Sequence, residues 1–209
     1  MAEERVQTAS RKRFLQQARA AFDFLFCALT VALSLCNFFL SFTIVMSGSM
    51  EPTLRRPGSG RTILGADWVV VDRISYNFRR PRRGEIVAFR VANNAFLNPG
   101  LEYIKRLAGL PGDRIRCSSN AVFVNGRLFA RSARGVPIRQ AKLLLRLFPD
   151  PGVEHRVHQK CVFLVGDNLA ESYDSRTWGD APMSAIAGRV FWRLWPPGRG
   201  WGPLGGPPR

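Results

Sequence analysis

Histidine is almost missing from this 209-residue chain, which has two, and its four cysteines include no Cys-x-x-Cys pair. With neither a His-Glu-x-x-His segment nor a Walker-type loop, zinc-peptidase and P-loop nucleotide chemistry drop out. Zinc-finger spacing and an RNA-recognition motif are also absent, and no internal repeat occurs. Lysine is scarce as well: of 31 cationic residues 27 are arginine, and only Lys12, Lys105, Lys142 and Lys160 are lysine. Arginine cannot give up its proton inside a protein whereas a desolvated lysine can, so each retained lysine is worth inspecting. Acidic residues number 15, leaving a net charge of +16. Such an excess suits anionic lipid headgroups better than nucleic acid here, because the arginines are scattered and not interleaved with aromatics along a stripe.

Long apolar runs are equally few. One stretch, 24–46, carries no charge, and as a helix it would span roughly 35 Å at ~1.5 Å per residue, enough to cross a bilayer with tilt. A cleaved secretory signal would have an apolar region of only about 7–15 residues and a small-x-small site, and neither is present. The expected organisation is therefore a basic cytoplasmic segment 1–20, a transmembrane anchor 21–46, a domain 47–195 and a Pro/Gly-rich tail 196–209 with too little apolar content to fold. Arg5, Arg11, Lys12, Arg13 and Arg19 place the N-terminus in the cytoplasm by the positive-inside rule, and the domain on the far side. Cys27 and Cys36, nine residues apart, face opposite sides of a helix and cannot pair within it. Cys117 and Cys161 fall in the domain, where sequence leaves both an oxidised pair and two buried thiols open.

The domain reads as mainly β and antiparallel. β-Branched runs at 67–72 and 85–90 and further strands at 103–108, 162–165 and 188–194 are separated by turn residues. Asn125-Gly126 between 122–124 and 127–129 specifies a hairpin with a type I′ turn, which needs positive φ at both positions. Residues 117–160 form a small variable insert, with a short amphipathic helix expected at 139–148.

Few nucleophile–base pairs remain. His155 and His158 stand three apart beside Glu154 in an Arg-rich stretch; a metal site would want a third ligand nearby, and they read as solvated side chains. That leaves serine with lysine. In Ser47-Gly48-Ser49-Met50-Glu51-Pro52-Thr53-Leu54, Gly48 allows a turn that exposes Ser49 and Pro52 restrains the exit, although an ordinary polar turn fits equally well. Lys105 shares a strand face with Tyr103 and Leu107. It either snorkels to solvent or is buried, and burial lowers a lysine pKa enough to make a general base.

Four segments in order resemble the type I signal peptidase family of membrane-anchored Ser/Lys peptidases. They are Ser47-Gly48-Ser49-Met50-Glu51-Pro52-Thr53-Leu54; Arg83-Gly84-Glu85-Ile86-Val87-Ala88-Phe89; Tyr103-Ile104-Lys105-Arg106-Leu107-Ala108-Gly109-Leu110-Pro111-Gly112-Asp113; and Gly166-Asp167-Asn168 with Ser172-Tyr173-Asp174-Ser175-Arg176. The resemblance implies Ser49 as nucleophile, Lys105 as general base, and Ser47 with the Ser49 N–H as oxyanion hole. It implies that Ser172 orients the lysine, that Asp174 and Arg176 form a structural ion pair, and that Val45, Met50, Tyr103 and Ile104 line pockets for small side chains. Met46 stands where a proline is common, and Leu169-Ala170-Glu171 replaces a more polar run. The implied substrates are signal-peptide-bearing preproteins, cut after a small residue at the face of the inner membrane, with the domain on the periplasmic side and neither metal nor organic cofactor. Two other readings stay open: a specialised processing peptidase of a conjugation or pilus system, and a catalytically silent basic membrane-anchored binding protein.

Overall fold

The computed structural model describes residues 2–58, 63–90, 98–118, 120–132, 153–195 and 202–204, and in its N-terminal helix the side chains of 14–34 and 39. The expected helix at 139–148 lies outside these residues. Two units are present, 1–39 and 40–209.

The first unit is helix α1, Ala2–Phe39. Within it Phe14–Ser34 is long and apolar enough to cross a membrane, and none of that window is buried. Its apolar side chains are exposed, Phe24 at 77%.

The apolar run was expected to stay helical to Met46, but helix ends at Phe39 and residues 40–44 become strand β1, Leu40–Ile44. Thr43, Ile44 and Val45 are β-branched and pack better on a pleated surface than around a helix. Pairing completes the switch, because β1 runs antiparallel to β2 (Trp68–Asp72), from Leu40 opposite Asp72 to Ile44 opposite Trp68. Ser49 therefore follows the helix by ten residues, where the sequence reading had it three past the anchor.

The second unit is built on an eight-stranded antiparallel sheet ordered β1-β2-β11-β3-β4-β9-β10, with β12 on β11. The further strands are β3 (Ile86–Arg90), β4 (Glu102–Gly109), β9 (Cys161–Val165), β10 (Ala181–Pro182), β11 (Ile186–Trp195) and β12 (Gly202–Pro203). Two four-residue helices, α2 (Ser75–Phe78) and α3 (Ser175–Trp178), sit in the connections. A second sheet, ordered β7-β6-β5-β8, holds β5 (Arg114–Cys117), β6 (Ala121–Val124), β7 (Arg127–Arg131) and β8 (Glu154–Arg156). It is the small insert, opening at Arg114. Its hairpin turns through Asn125 and Gly126 at φ 51° and 77°, the positive pair that a type I′ turn requires.

The tail is not wholly unstructured. Gly202 and Pro203 pair with Arg193 and Trp192, and Leu204 is buried beside Val69, Val71 and Val190. One leucine side chain and two ladder positions suffice to hold this short piece once β11 supplies a template. Cys117 and Cys161 are both free; the first is buried, and desolvation pushes its thiol up to about 12, leaving it inert.

Candidate active site

Strand β4 lies between β3 and β9, with Lys105 opposite Val87 and Arg106 opposite Val165. Neighbouring strands cover both edges of β4, and from Lys105 to Gly109 the strand is buried on both faces as well, Lys105 being only 4% exposed. Snorkelling is thereby ruled out. Burial drives the Lys105 pKa down to about 8; Asp174 pulls it up, Arg176 pushes it down and Asp167 pulls it up, all more weakly than desolvation.

Its ammonium nitrogen ends 2.5 Å from Ser49 Oγ. Ser49 stands in a 3₁₀ turn, Gly48–Met50, whose three residues are all buried, with Glu51 N–H donating back to Gly48 O at 3.2 Å. The entry to the turn is tied down where Val45 N–H donates to Asp67 O at 2.9 Å, and buried Asp67 accepts from Arg55 N–H at 3.0 Å. Ser47 is exposed, and its hydroxyl lies 3.1 Å from Ser49 Oγ. The opening N–H groups of such a turn have no partner inside it.

The loop after β9 closes the far side. Asn168 donates twice to the serine turn, from N–H to Ser49 O at 3.0 Å and from Nδ2 to Gly48 O at 3.1 Å. Asp174 and Arg176 form a bidentate pair at 2.8 and 2.9 Å, 0% and 3% exposed at the side chain. Arg176 Nη2 also donates to Leu169 O, and Asp174 accepts from Gly166 N–H at 2.9 Å. Desolvation pushes the Asp174 carboxyl up, but Arg176 and these hydrogen bonds outweigh it and hold it below the usual range.

Ser172 arrives in the site, 3% exposed, but differs from expectation. Its hydroxyl makes no hydrogen bond to Lys105 or to any other group, although it is near enough to Asp174 to help keep that carboxylate charged. Of the four expected pocket residues, Val45, Met50 and Ile104 meet in one apolar cluster. Tyr103 packs elsewhere, its ring 5.7 Å from Phe89, because adjacent strand residues point to opposite faces. His155 is not solvated as expected: its side chain is 21% exposed and bonded to Asp180.

Two features escaped the sequence reading. Arg106, next to the lysine but on the other face of β4, forms a buried bidentate pair with Asp167 at 2.7 and 2.6 Å and donates to Gly84 O. An arginine beside the lysine in the middle of a buried strand was the available signal, since such a charge is kept only with a partner. Gly166 is the second. A Cβ there would lie 2.1 Å from Ser172 Oγ and 2.4 Å from Ser49 O, so only glycine lets the loop approach the serine backbone. Gly166→Ala is expected to cost about 1–3 kcal/mol by overpacking and about tenfold or more in turnover by shifting Ser49. Denaturant titration alongside peptide cleavage checks both; unchanged turnover would mean that the loop does not position the serine. The less polar segment 169–171 is also accounted for: Leu169 is 1% exposed in the core, and Glu171 pairs with Arg56 at 3.3 Å over Gly48.

The family model for signal peptidase, peptidase S26, matches residues 18–195, a span that takes in every group just described. A signal peptidase I of Bacillus caldolyticus is 34% identical over 176 residues, covering 82% of this chain and 88% of that protein. A probable signal peptidase I-2 of Synechocystis is 33% identical over 173 residues, covering 81% and 69% respectively. A signal peptidase I of Leptolyngbya laminosa is 33% identical over 186 residues, covering 87% and 81%. On the family match and these shared lengths, the chain belongs to the signal peptidase family, peptidase S26.

Proposed function

We propose that this chain is a membrane-anchored serine endopeptidase that removes N-terminal signal peptides from exported preproteins, with Ser49 and Lys105 as its catalytic pair. The observation that carries the pair is the 2.5 Å approach of a buried lysine nitrogen to a serine hydroxyl held on a rigid turn. With its pKa at about 8, a useful fraction of Lys105 is uncharged near neutral pH. In that state the Ser49 hydroxyl donates to Nζ, and as Oγ attacks the scissile carbonyl the amine takes the proton. The Ser47 hydroxyl and the Ser49 N–H receive the developing oxyanion. Lys105 then hands its proton to the leaving amine, and a water deprotonated by Lys105 hydrolyses the acyl-enzyme.

Val45, Met50 and Ile104 form the apolar wall against which small substrate side chains rest. In place of a hydrogen bond from Ser172, what holds the lysine here is packing on β4 and the field of Asp174. The membrane orientation follows from the basic segment before the apolar helix, N-terminus inside and the peptidase unit outside. The net charge of +16 favours its resting against anionic headgroups.

The test is digestion of a signal-peptide-bearing precursor in detergent micelles, with the cut mapped by mass. A single cut after a small residue at the end of the signal peptide is expected, and none, or cuts scattered elsewhere, would overturn the reading. The pH profile tests the base. Because the active form is the neutral amine, kcat/KM should rise about tenfold per pH unit below about 8 and level off above it. A half-maximum near the ~10.4 of a solvated lysine would exclude Lys105 as a buried base.

A further inference from the structure

Outside the contacts described around Ser49 and Lys105, three side chains from two parts of the chain converge. His155 Nε2 lies 2.7 Å from Asp180 Oδ1, and His158 Nδ1 lies 2.7 Å from Asp180 Oδ2. The three ligand atoms fall within 4.8 Å of one another. His155 belongs to β8 in the small sheet, His158 follows it by three residues, and Asp180 stands between α3 and β10 beside the large sheet.

We infer that His155, His158 and Asp180 form a three-ligand site for a divalent transition-metal ion of the zinc type, which clips the small sheet to the segment leaving α3. Two imidazoles and one carboxylate are a donor set suited to zinc. Bond lengths of about 2.0–2.1 Å set tetrahedral ligand atoms roughly 3.3 Å apart. Opening each 2.7 Å contact by about 0.6 Å, with the two imidazole nitrogens, which lie within 4.8 Å, brought to the same separation, therefore admits the ion. Loading needs no oxidant: each ring's proton on the ligating nitrogen moves to its other nitrogen or to solvent.

The remaining shell is prepared. His158 N–H donates to Asp180 Oδ2 at 2.8 Å and so fixes the carboxylate whether or not metal is bound. The His155 ring is held against Phe163, centroids 5.9 Å apart, so its direction is set by the core. His158 is 74% exposed at the side chain, which gives the ion an entry path and leaves its fourth position to water. The histidine spacing was visible in the sequence, and the missing third ligand is supplied by a residue 22 positions further on.

The probe is zinc itself, added to tag-free full-length protein in detergent after chelator treatment, with affinity read by competition against a chromophoric chelator. One equivalent is expected to bind, raising the unfolding midpoint by about 5 °C at saturation. Cobalt(II) should bind in its place and give the visible absorption of a four-coordinate site. His158→Ala, at an exposed position, should fold normally and lose affinity at least about tenfold. His155→Ala should do the same, whereas Cys117→Ser/Cys161→Ser should bind zinc as the parent does. No bound zinc, affinity indifferent to both histidine substitutions, or binding lost with the thiols would each overturn the site. Precursor cleavage by Ser49 and Lys105 is scored separately on the same samples, so failure of one reading leaves the other distinguishable.

Discussion

Lys105→Met is expected to abolish precursor cleavage and, at the same time, to make the protein more stable. The loss should reach about 10³- to 10⁴-fold, since the variant has lost the amine that lies 2.5 Å from Ser49 Oγ and is placed to take its proton. Ser49→Ala should fall to the same background and the double variant no further, because nucleophile and base act as a unit. The gain in stability has a different origin. Burial displaces the Lys105 pKa from 10.5 to about 8, which is roughly 3 kcal/mol of folding free energy lost to holding a protonated amine away from water at neutral pH. Methionine fills similar space with no charge to desolvate. The sign with pH follows: between the folded value of about 8 and the unfolded value of 10.5 the unfolded chain binds more protons, so stability of the parent climbs with pH there. The variant shows no such climb. Its advantage, near 3 kcal/mol at neutral pH, should shrink to about 1 kcal/mol by about pH 9.5 in urea titrations. Cleavage within tenfold of the parent would remove Lys105 from the chemistry. A variant no more stable at neutral pH would show that the amine is not desolvated.

Much of this was written in local sequence. Of the strands of the large sheet that matter to the site, β2, β3 and β9 are short runs rich in β-branched residues, β4 and β11 were set off by the turns around them, and Asn125-Gly126 specified its hairpin outright. The strands that were missed lack a signal of their own. Leu40–Ile44 is as apolar as the helix before it, and only the row of hydrogen-bond partners on β2 decides its conformation. Arg114–Cys117 does alternate, with both arginines exposed and Ile115 and Cys117 buried, but four residues that include two charges do not stand out against loops. Gly202–Pro203 becomes a strand only because β11 is there to receive it.

The candidate site divides in the same way. Ser49 and Lys105 could be named from residue types and motif order, and they meet at 2.5 Å. Arg106 with Asp167, and Asp180 with the two histidines, depend on contacts between residues 22 to 61 positions apart along the chain, and Gly166 under Ser172 depends on a backbone approach that no composition reports. Ser172 is the instructive opposite. The motif marks the residue, whereas the hydrogen bond that the resemblance implied for it depends on the surrounding packing and is not made here.

Asp174→Asn should be the most destabilising of the conservative changes near the site. The carboxylate is fully buried and meets Arg176 through both oxygens, so neutralising it leaves a guanidinium, 3% exposed, with only carbonyl partners. Breaking one half of a buried pair costs about 3–5 kcal/mol, or about 10 °C in midpoint for a unit of this size. The parent loses the same contribution in acid: the Asp174 pKa lies below its ordinary 3.8 when folded, so the stabilisation is full above that value and fades as pH falls through the folded one. A second readout separates electrostatics from simple loosening. Asp174 raises the Lys105 pKa and Arg176 lowers it, so Asp174→Asn should move the residual pH profile below about 8, and Arg176→Met should move it above. Opposite displacements would establish that the pair tunes the amine from behind the loop. Profiles that remain together in both variants, with stability lost as expected, would reduce Asp174 and Arg176 to a brace for the residues that reach Ser49.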